Sequence, residues 1–209
     1  MSKSEEIFNK YADHYDLKYG SVDLYSESLD QFLGSLKQNA NLLELACGPG
    51  NLTRYLIAKR PDLNILGLDI AKNMIDLARI NNPGANFLRM DCRYISRIAK
   101  KFDAILAGFL LPYLNADEAS KLIRSANSLL NNHGLLYLST MEAGKTDSGL
   151  QGSSLTGQDT LYTHYHNLDF LKLNLEKSHF EIRTSEYLDN PNNAEEIRDI
   201  VLIAVKSGN

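Results

Sequence analysis

The chain has 209 residues, 44% of them hydrophobic and 23% charged, with a formal net charge of −4. That is enough chain for one well-packed domain of ordinary soluble, globular composition. The acidic balance argues against a nucleic-acid-binding face, although an average of this kind can conceal a local basic patch. Cys47 and Cys92 stand in no CxxC or zinc-type spacing, so a reduced, cytoplasmic setting without a metal is expected. The start "MSKSEEIFNK" has no apolar signal region. The most apolar run, 104–114, contains Pro112 and falls far short of the roughly 20 residues of a membrane span.

In chain order, helices are expected over 4–19 and 24–37. Their apolar and aromatic positions (Ile7, Phe8, Tyr11, Tyr15, then Leu29, Phe32, Leu33, Leu36) recur at helical spacing. They have no strand partner and are expected to cap a sheet. From residue 41, short apolar runs alternate with helical patterns. Strands are expected at 41–46, 64–69, 86–90, 102–108 and 134–140, with helices at 51–60, 71–81 and 116–131. This alternation implies right-handed βαβ units in a doubly wound, mostly parallel sheet. Residues 142–160 carry four glycines and no periodicity, as a long functional loop or a lid would. A helix at 167–177 precedes two strands, 180–188 and 198–206, whose short connection makes them antiparallel. There is no internal repeat. The whole is an α/β, Rossmann-like, seven-stranded sheet with its last strand antiparallel. Three parts are expected in one domain spanning 1–209: a helical cap (1–39), a cofactor-binding half (40–141), and a substrate loop with the strand pair (142–209).

The stretch "LLELACGPGN" (42–51) is a strand running into a glycine turn and a helix start, a place where backbone N–H groups can hold a ligand. A GxG alone is weak evidence. Three acids strengthen it. Asp69 ends the second strand, 19 residues beyond Gly50, where a carboxylate can accept both hydroxyls of a ribose. Asp91 follows the third strand and can accept from an adenine amino group. Glu44 ends the first strand. It would oppose a dinucleotide pyrophosphate by roughly 1–4 kcal/mol, but would favour the ammonium and sulfonium of S-adenosylmethionine. Thr53 stands where the dinucleotide fingerprint has its third glycine.

The ordered set "LLELACGPGNLT" (42–53), "ILGLDIAKNMIDLAR" (65–79), "NFLRMDC" (86–92), "FDAILAGFLLPYL" (102–114) and "HGLLYLST" (133–140) resembles the class I S-adenosylmethionine-dependent methyltransferases of small-molecule type. The resemblance extends over about residues 5–206. Ala46 departs from it, standing at the first glycine of the family's first motif. The resemblance implies that Glu44, Ala46 and Gly48 surround the methionine end of the cofactor and that Asp69 holds the ribose. Ile70 and Met74 would pack near the adenine, whose edge Asp91 and Cys92 would read. Ala107 and Gly108 would line the methionine moiety. Tyr11, with Tyr15 as a second choice, would reach the cofactor from the cap.

Methyl transfer from a sulfonium is an in-line displacement that the protein mainly aligns. A general base is needed only for a protonated acceptor. No catalytic residue is therefore assigned; His164, His166 and Tyr113 are the candidates, with Phe109, Glu142 and His14 as further acceptor contacts. His164 and His166 lack a third metal ligand. "AGFLLPYL" (107–114) has none of the Asn/Asp-Pro-Pro-aromatic turn of base-methylating relatives, which disfavours a nucleic-acid substrate. The expected partner is a small-molecule substrate, with the chain a monomer or homodimer. Two alternatives stay open: an NAD-dependent oxidoreductase, and a non-catalytic relative that binds S-adenosylmethionine in a regulatory role.

Overall fold

The computed structural model describes residues 2–144, 148–152, 159–189 and 197–208. The five apolar runs form strands β1 (Asn41–Leu45), β2 (Asn64–Asp69), β3 (Asn86–Arg89), β4 (Phe102–Gly108) and β5 (Leu130–Ala143). The N-terminal cap comprises α1 (Lys3–Lys10), α2 (Ala12–Lys18) and α3 (Ser26–Gly34); α4 (Asn51–Lys59), α5 (Lys72–Asn81) and α6 (Ala116–Leu129) follow β1, β2 and β4. After β5 come a two-stranded ribbon, β6 (Gly149–Gly152) with β7 (Thr160–Thr163), then α7 (Leu168–Lys177), β8 (Phe180–Asp189) and β9 (Ile197–Lys206).

The main sheet runs β3-β2-β1-β4-β5-β9-β8. β9 is antiparallel to both neighbours, and the other adjacent pairs are parallel, as expected. The chain moves outward through β1, β2 and β3, then returns to place β4 beside β1. That reversal is the switch point outside which α/β sheets hold ligands. One face buries Leu43, Leu45, Phe102 and Ile105 against Leu122 and Ile123 of α6 and Leu171 of α7. The other buries Leu42, Ala104, Leu106 and Tyr137 against Leu29 and Phe32 of α3 and Leu56 of α4. Strands apolar on both faces follow from this double cover.

Four boundaries differ from expectation. The first helix is interrupted at Tyr11 (φ −115, ψ 24), which ends α1 and precedes α2. The helix expected over 24–37 is shorter: Asp23–Tyr25 form a 3₁₀ turn and α3 ends at Gly34. α6 ends at Leu129, and β5 begins at Leu130 because Leu130 pairs with Phe102 ahead of a register shift; His133 has φ 61 there. In the glycine-rich 142–160 segment, β5 extends to Ala143 by pairing with Ile197, and β6 pairs with β7. The rest of that segment, 145–147 and 153–158, lies outside the described residues. Among the described residues, no helix is long and apolar enough to cross a membrane.

Candidate functional site

A cleft of about 140 Å³ opens at the carboxyl ends of β1, β2 and β4. Its base is the turn leaving β1. Ala46, Gly48 and Gly50 all have left-handed backbones, with φ of 52, 55 and 85. The turn is fastened from two sides. The Gly48 N–H donates to Asp69 Oδ2 (3.0 Å), and the Ala71 N–H donates to Asp69 Oδ1 (2.8 Å). Asn82 donates to the Gly50 carbonyl and Asn81 to the Pro49 carbonyl, each at 3.1 Å. A Cβ on Gly50 would stand 2.2 Å from Asn82 Nδ2, so this position has no room for a side chain. Ala46 carries a Cβ in a conformation that costs an L-residue about 1–2 kcal/mol.

Glu44 lies beneath the turn, 1% exposed, and accepts from the Thr53 hydroxyl through Oε2 (2.5 Å). Its Oε1 has no partner among the described residues. Burial raises its pKa, the Thr53 bond opposes the rise, and the charge of Asp69 adds to it, leaving Glu44 at about 7. Asp69 is also raised by burial, against the pull of the Ala71 and Gly48 N–H groups. Asp91 behaves oppositely. Burial lifts it, but the Arg93 guanidinium, which contacts both carboxylate oxygens and approaches to 2.6 Å, holds it below the ordinary range.

The cleft lining brings together Ala46, Gly48, Asp69, Ile70, Met74, Asp91, Cys92 and Tyr113 from the expected set, together with Gly108 and Phe109. Tyr15 lines it as well, its ring 3.7 Å from where a Gly48 Cβ would lie. Phe8 packs edge-on between Tyr15 (5.9 Å) and Tyr113 (5.2 Å), giving the cleft an aromatic wall. Phe109 has φ 52, and its N–H is held by the carbonyl and hydroxyl of Ser139. A bulky residue in that region is an outlier of the kind that collects at functional sites.

Other expected residues lie outside the lining, Glu44 among them, buried beneath the turn. The Tyr11 hydroxyl donates to Asp159 beside β7 (2.7 Å), and Tyr11 is absent from the cleft lining. Ala107 is fully buried in the core under α6, and the next residue, Gly108, meets the cleft. His166 is buried, and its Nε2–H donates to the carbonyls of Leu111 (3.1 Å) and Leu114 (2.9 Å). Burial lowers its pKa despite those bonds. His164 stacks between Tyr162 (4.6 Å) and His166 (6.3 Å). Glu142 accepts from the Leu168 N–H (2.9 Å) and pairs with Arg198; His14 is exposed on α2. Burial pushes the Tyr113 phenol far above its ordinary value, so it remains protonated at neutral pH. Among the described residues, no cluster of His, Cys, Asp or Glu could hold a metal. The site can therefore bind and align, with carboxylates for hydroxyl or amino groups, aromatic faces, and a buried acid favouring positive charge.

Ser2, Ser4, Phe8, Arg93, Leu110 and Leu114 complete the lining, and Asn81 and Asn82 stand behind the turn, all beyond the residues expected from sequence. The "NN" following the helix pattern was the available signal for the last two, since a buried carboxamide can satisfy turn carbonyls.

Comparison with known proteins agrees with this geometry. A family described as methyltransferase domain matches residues 42–134. A malonyl-[acyl-carrier protein] O-methyltransferase of Acetivibrio thermocellus is 29% identical over 139 residues, which is 64% of this chain and 47% of that protein. A trans-aconitate 2-methyltransferase of Methylobacterium nodulans is 38% identical over 90 residues, 43% of this chain and 34% of that one. The chain spans about half the length of the first curated relatives it matches. Magnesium protoporphyrin IX methyltransferase from Synechocystis PCC 6803, solved with bound SAH, superposes with a TM-score of 0.73 at 19% identity over 98% of both chains, a likeness of fold. Residues 42–134 thus match a methyltransferase domain, within a sheet whose order and antiparallel β9 give the chain the fold of S-adenosylmethionine-dependent methyltransferases.

Proposed function

We propose that this protein transfers a methyl group from S-adenosylmethionine to a small-molecule acceptor, chiefly by alignment. The observation carrying this reading is the convergence of Asp69, Asp91 and the left-handed turn 46–50 on one aromatic-walled cleft at the switch point of the sheet. Asp69 would hold the ribose hydroxyls and Asp91 the adenine edge, with Ile70 and Met74 against the ring. The unpartnered oxygen of Glu44 fits a cationic ligand and opposes a pyrophosphate. When bound, the cofactor supplies a methyl group already activated by a sulfonium. The chain's own part is to orient it, and the wall of Phe8, Tyr15 and Tyr113 excludes water. With His166 engaged by backbone carbonyls and Tyr113 held protonated, the reading favours an acceptor that arrives deprotonated.

A relative named for trans-aconitate supports a small acceptor, and relatives named for malonyl-[acyl-carrier protein] make a small acyl group borne on a carrier protein the other acceptor to test. We read the chain as one domain: cap 1–39, cofactor half 40–141 and acceptor half 142–209. Calorimetric titration with S-adenosylhomocysteine tests the cofactor assignment. Asp69→Ala should weaken binding by roughly 10–100-fold, the worth of bonds to a charged acceptor. Unchanged affinity, or binding of NAD⁺ instead, would overturn the assignment. Turnover against a panel of small metabolites tests the reaction, and failure of every acceptor alongside tight cofactor binding would favour the non-catalytic relative.

A further inference from the structure

A second concavity lies apart from the cleft, where the segment leading from the 3₁₀ turn Cys92–Arg97 into β4 faces α6. Its volume is about 310 Å³. Lys100 and Lys101 line one side and Lys121 and Arg124 the other, with the hydroxyls of Ser96 and Ser125 between them. The apolar Ile98, Ala99 and Leu129 complete it. It is an open, shallow groove, apolar in part, with exposed cations converging on it from two elements.

None of these four cations forms an ion pair with a carboxylate among the described residues. Lys100 donates to the Asn41 side chain (2.9 Å) and Lys101 to the Ser128 carbonyl, both neutral. The adjacent acids are engaged or unpaired with them. Asp103 is held by Lys37 (2.8 Å), the Asn41 N–H and Asn131; Glu118 pairs with Arg93; Asp117, one turn before Lys121, makes no ion pair among the described residues. Lys206 bonds the carbonyls of Asn127 and Leu130 nearby. Burial first, and then the charge of Lys101, lower its pKa. In a chain of net charge −4, this is a concentrated positive potential that the described residues leave unneutralised.

We propose that this groove binds a small phosphate-bearing anion, held by Lys121 and Arg124 from α6 and by Lys100 and Lys101 from the facing segment. The guanidinium of Arg124 supplies a planar fork suited to phosphate oxygens, and the ammonium groups supply point charges. Ser96 and Ser125 add hydroxyl donors. A groove of about 310 Å³ with cations on two facing elements matches the size of a small phosphate-bearing ligand.

The test is calorimetric titration of the full chain with inorganic pyrophosphate at about 0.15 M salt, where loose surface association is screened. One pyrophosphate should bind per chain and saturate. The double variant Lys121→Gln, Arg124→Gln should bind about tenfold more weakly or worse. Ser96→Phe, which fills the groove without altering charge, should weaken binding comparably. All the proteins should keep the same thermal shift with S-adenosylhomocysteine, which reports an intact fold. No saturable binding by the wild type overturns the proposal. So does Ser96→Phe binding as the wild type does, the mark of an adventitious ion on a basic surface. Tighter binding of polyglutamate or an RNA oligonucleotide than of pyrophosphate would likewise overturn it and assign the face to a macromolecule.

Discussion

Beneath the cleft, contacts run largely through backbone atoms: Asp69 to the N–H groups of Gly48 and Ala71, Asn82 to the Gly50 carbonyl, Asn81 to the Pro49 carbonyl. Above it, Asn9 and Tyr19 of the cap also bond through backbone carbonyls, but several of its contacts join side chain to side chain. Tyr11 and Lys10 meet Asp159, Glu5 meets Arg89, and Phe8 meets Tyr113. A base bound through backbone tolerates few changes and can serve one ligand with precision. A wall bound through side chains can be rebuilt by substitution without disturbing that base. Under the proposed reading, the two regions suit different tasks, the cofactor below and the acceptor above.

Substitutions can break or sharpen this contrast. The largest loss should come from Gly50→Ala. The new Cβ would be in a left-handed backbone and 2.2 Å from Asn82 Nδ2, displacing the carboxamide from the Gly50 carbonyl. A stability loss of about 2–3 kcal/mol in urea unfolding is expected, along with impaired S-adenosylhomocysteine binding. A loss under about 1 kcal/mol would mean that the base is not rigid.

Glu44 comes next. Its folded pKa of about 7 lies above the ordinary 4.5, so the folded state holds the proton more tightly than the unfolded one. The stabilisation is complete below about pH 4.5 and is lost as pH rises toward 7. Glu44→Gln should remove up to roughly 3 kcal/mol of that pH dependence. Parallel stability curves for the two proteins between pH 4.5 and 8 would refute the shift. A smaller and opposite effect is expected from Ala46→Gly, which relieves the left-handed Cβ at some cost in chain entropy. A net gain of about 0.5–1 kcal/mol should appear in the urea midpoint. The smallest change in stability belongs to Tyr11→Phe, which removes the hydroxyl bond to Asp159. The urea midpoint and S-adenosylhomocysteine affinity should be unchanged while KM for the acceptor moves. A weaker cofactor affinity would join the wall to the base.

What could be read in the sequence follows the same division. The strand, the turn and Asp69 are local signals, because a strand end and a glycine turn fix where the next strand's acid falls. Tyr11 and Tyr15 were harder. Four residues apart at helical spacing they look equivalent, yet Tyr11 bonds Asp159 and Tyr15 lies over Gly48, a difference set by partners remote in sequence. His166 resembled a free base because its partners, the carbonyls of Leu111 and Leu114, lie 55 and 52 residues away. The β6–β7 ribbon gave no alternating pattern to read. Leu150 and Tyr162, a cross-strand pair, are both exposed.

The unpartnered oxygen of Glu44 bears finally on how a reaction cycle would end. Under the proposed reading, the spent cofactor has lost its sulfonium charge, whereas the fresh one retains it. An ionised Glu44 distinguishes the two by charge, and a protonated Glu44 does not. With a pKa of about 7, that selectivity switches on across neutrality. Product inhibition should ease as pH rises through 7, and exchange of product for cofactor should release a proton into solution.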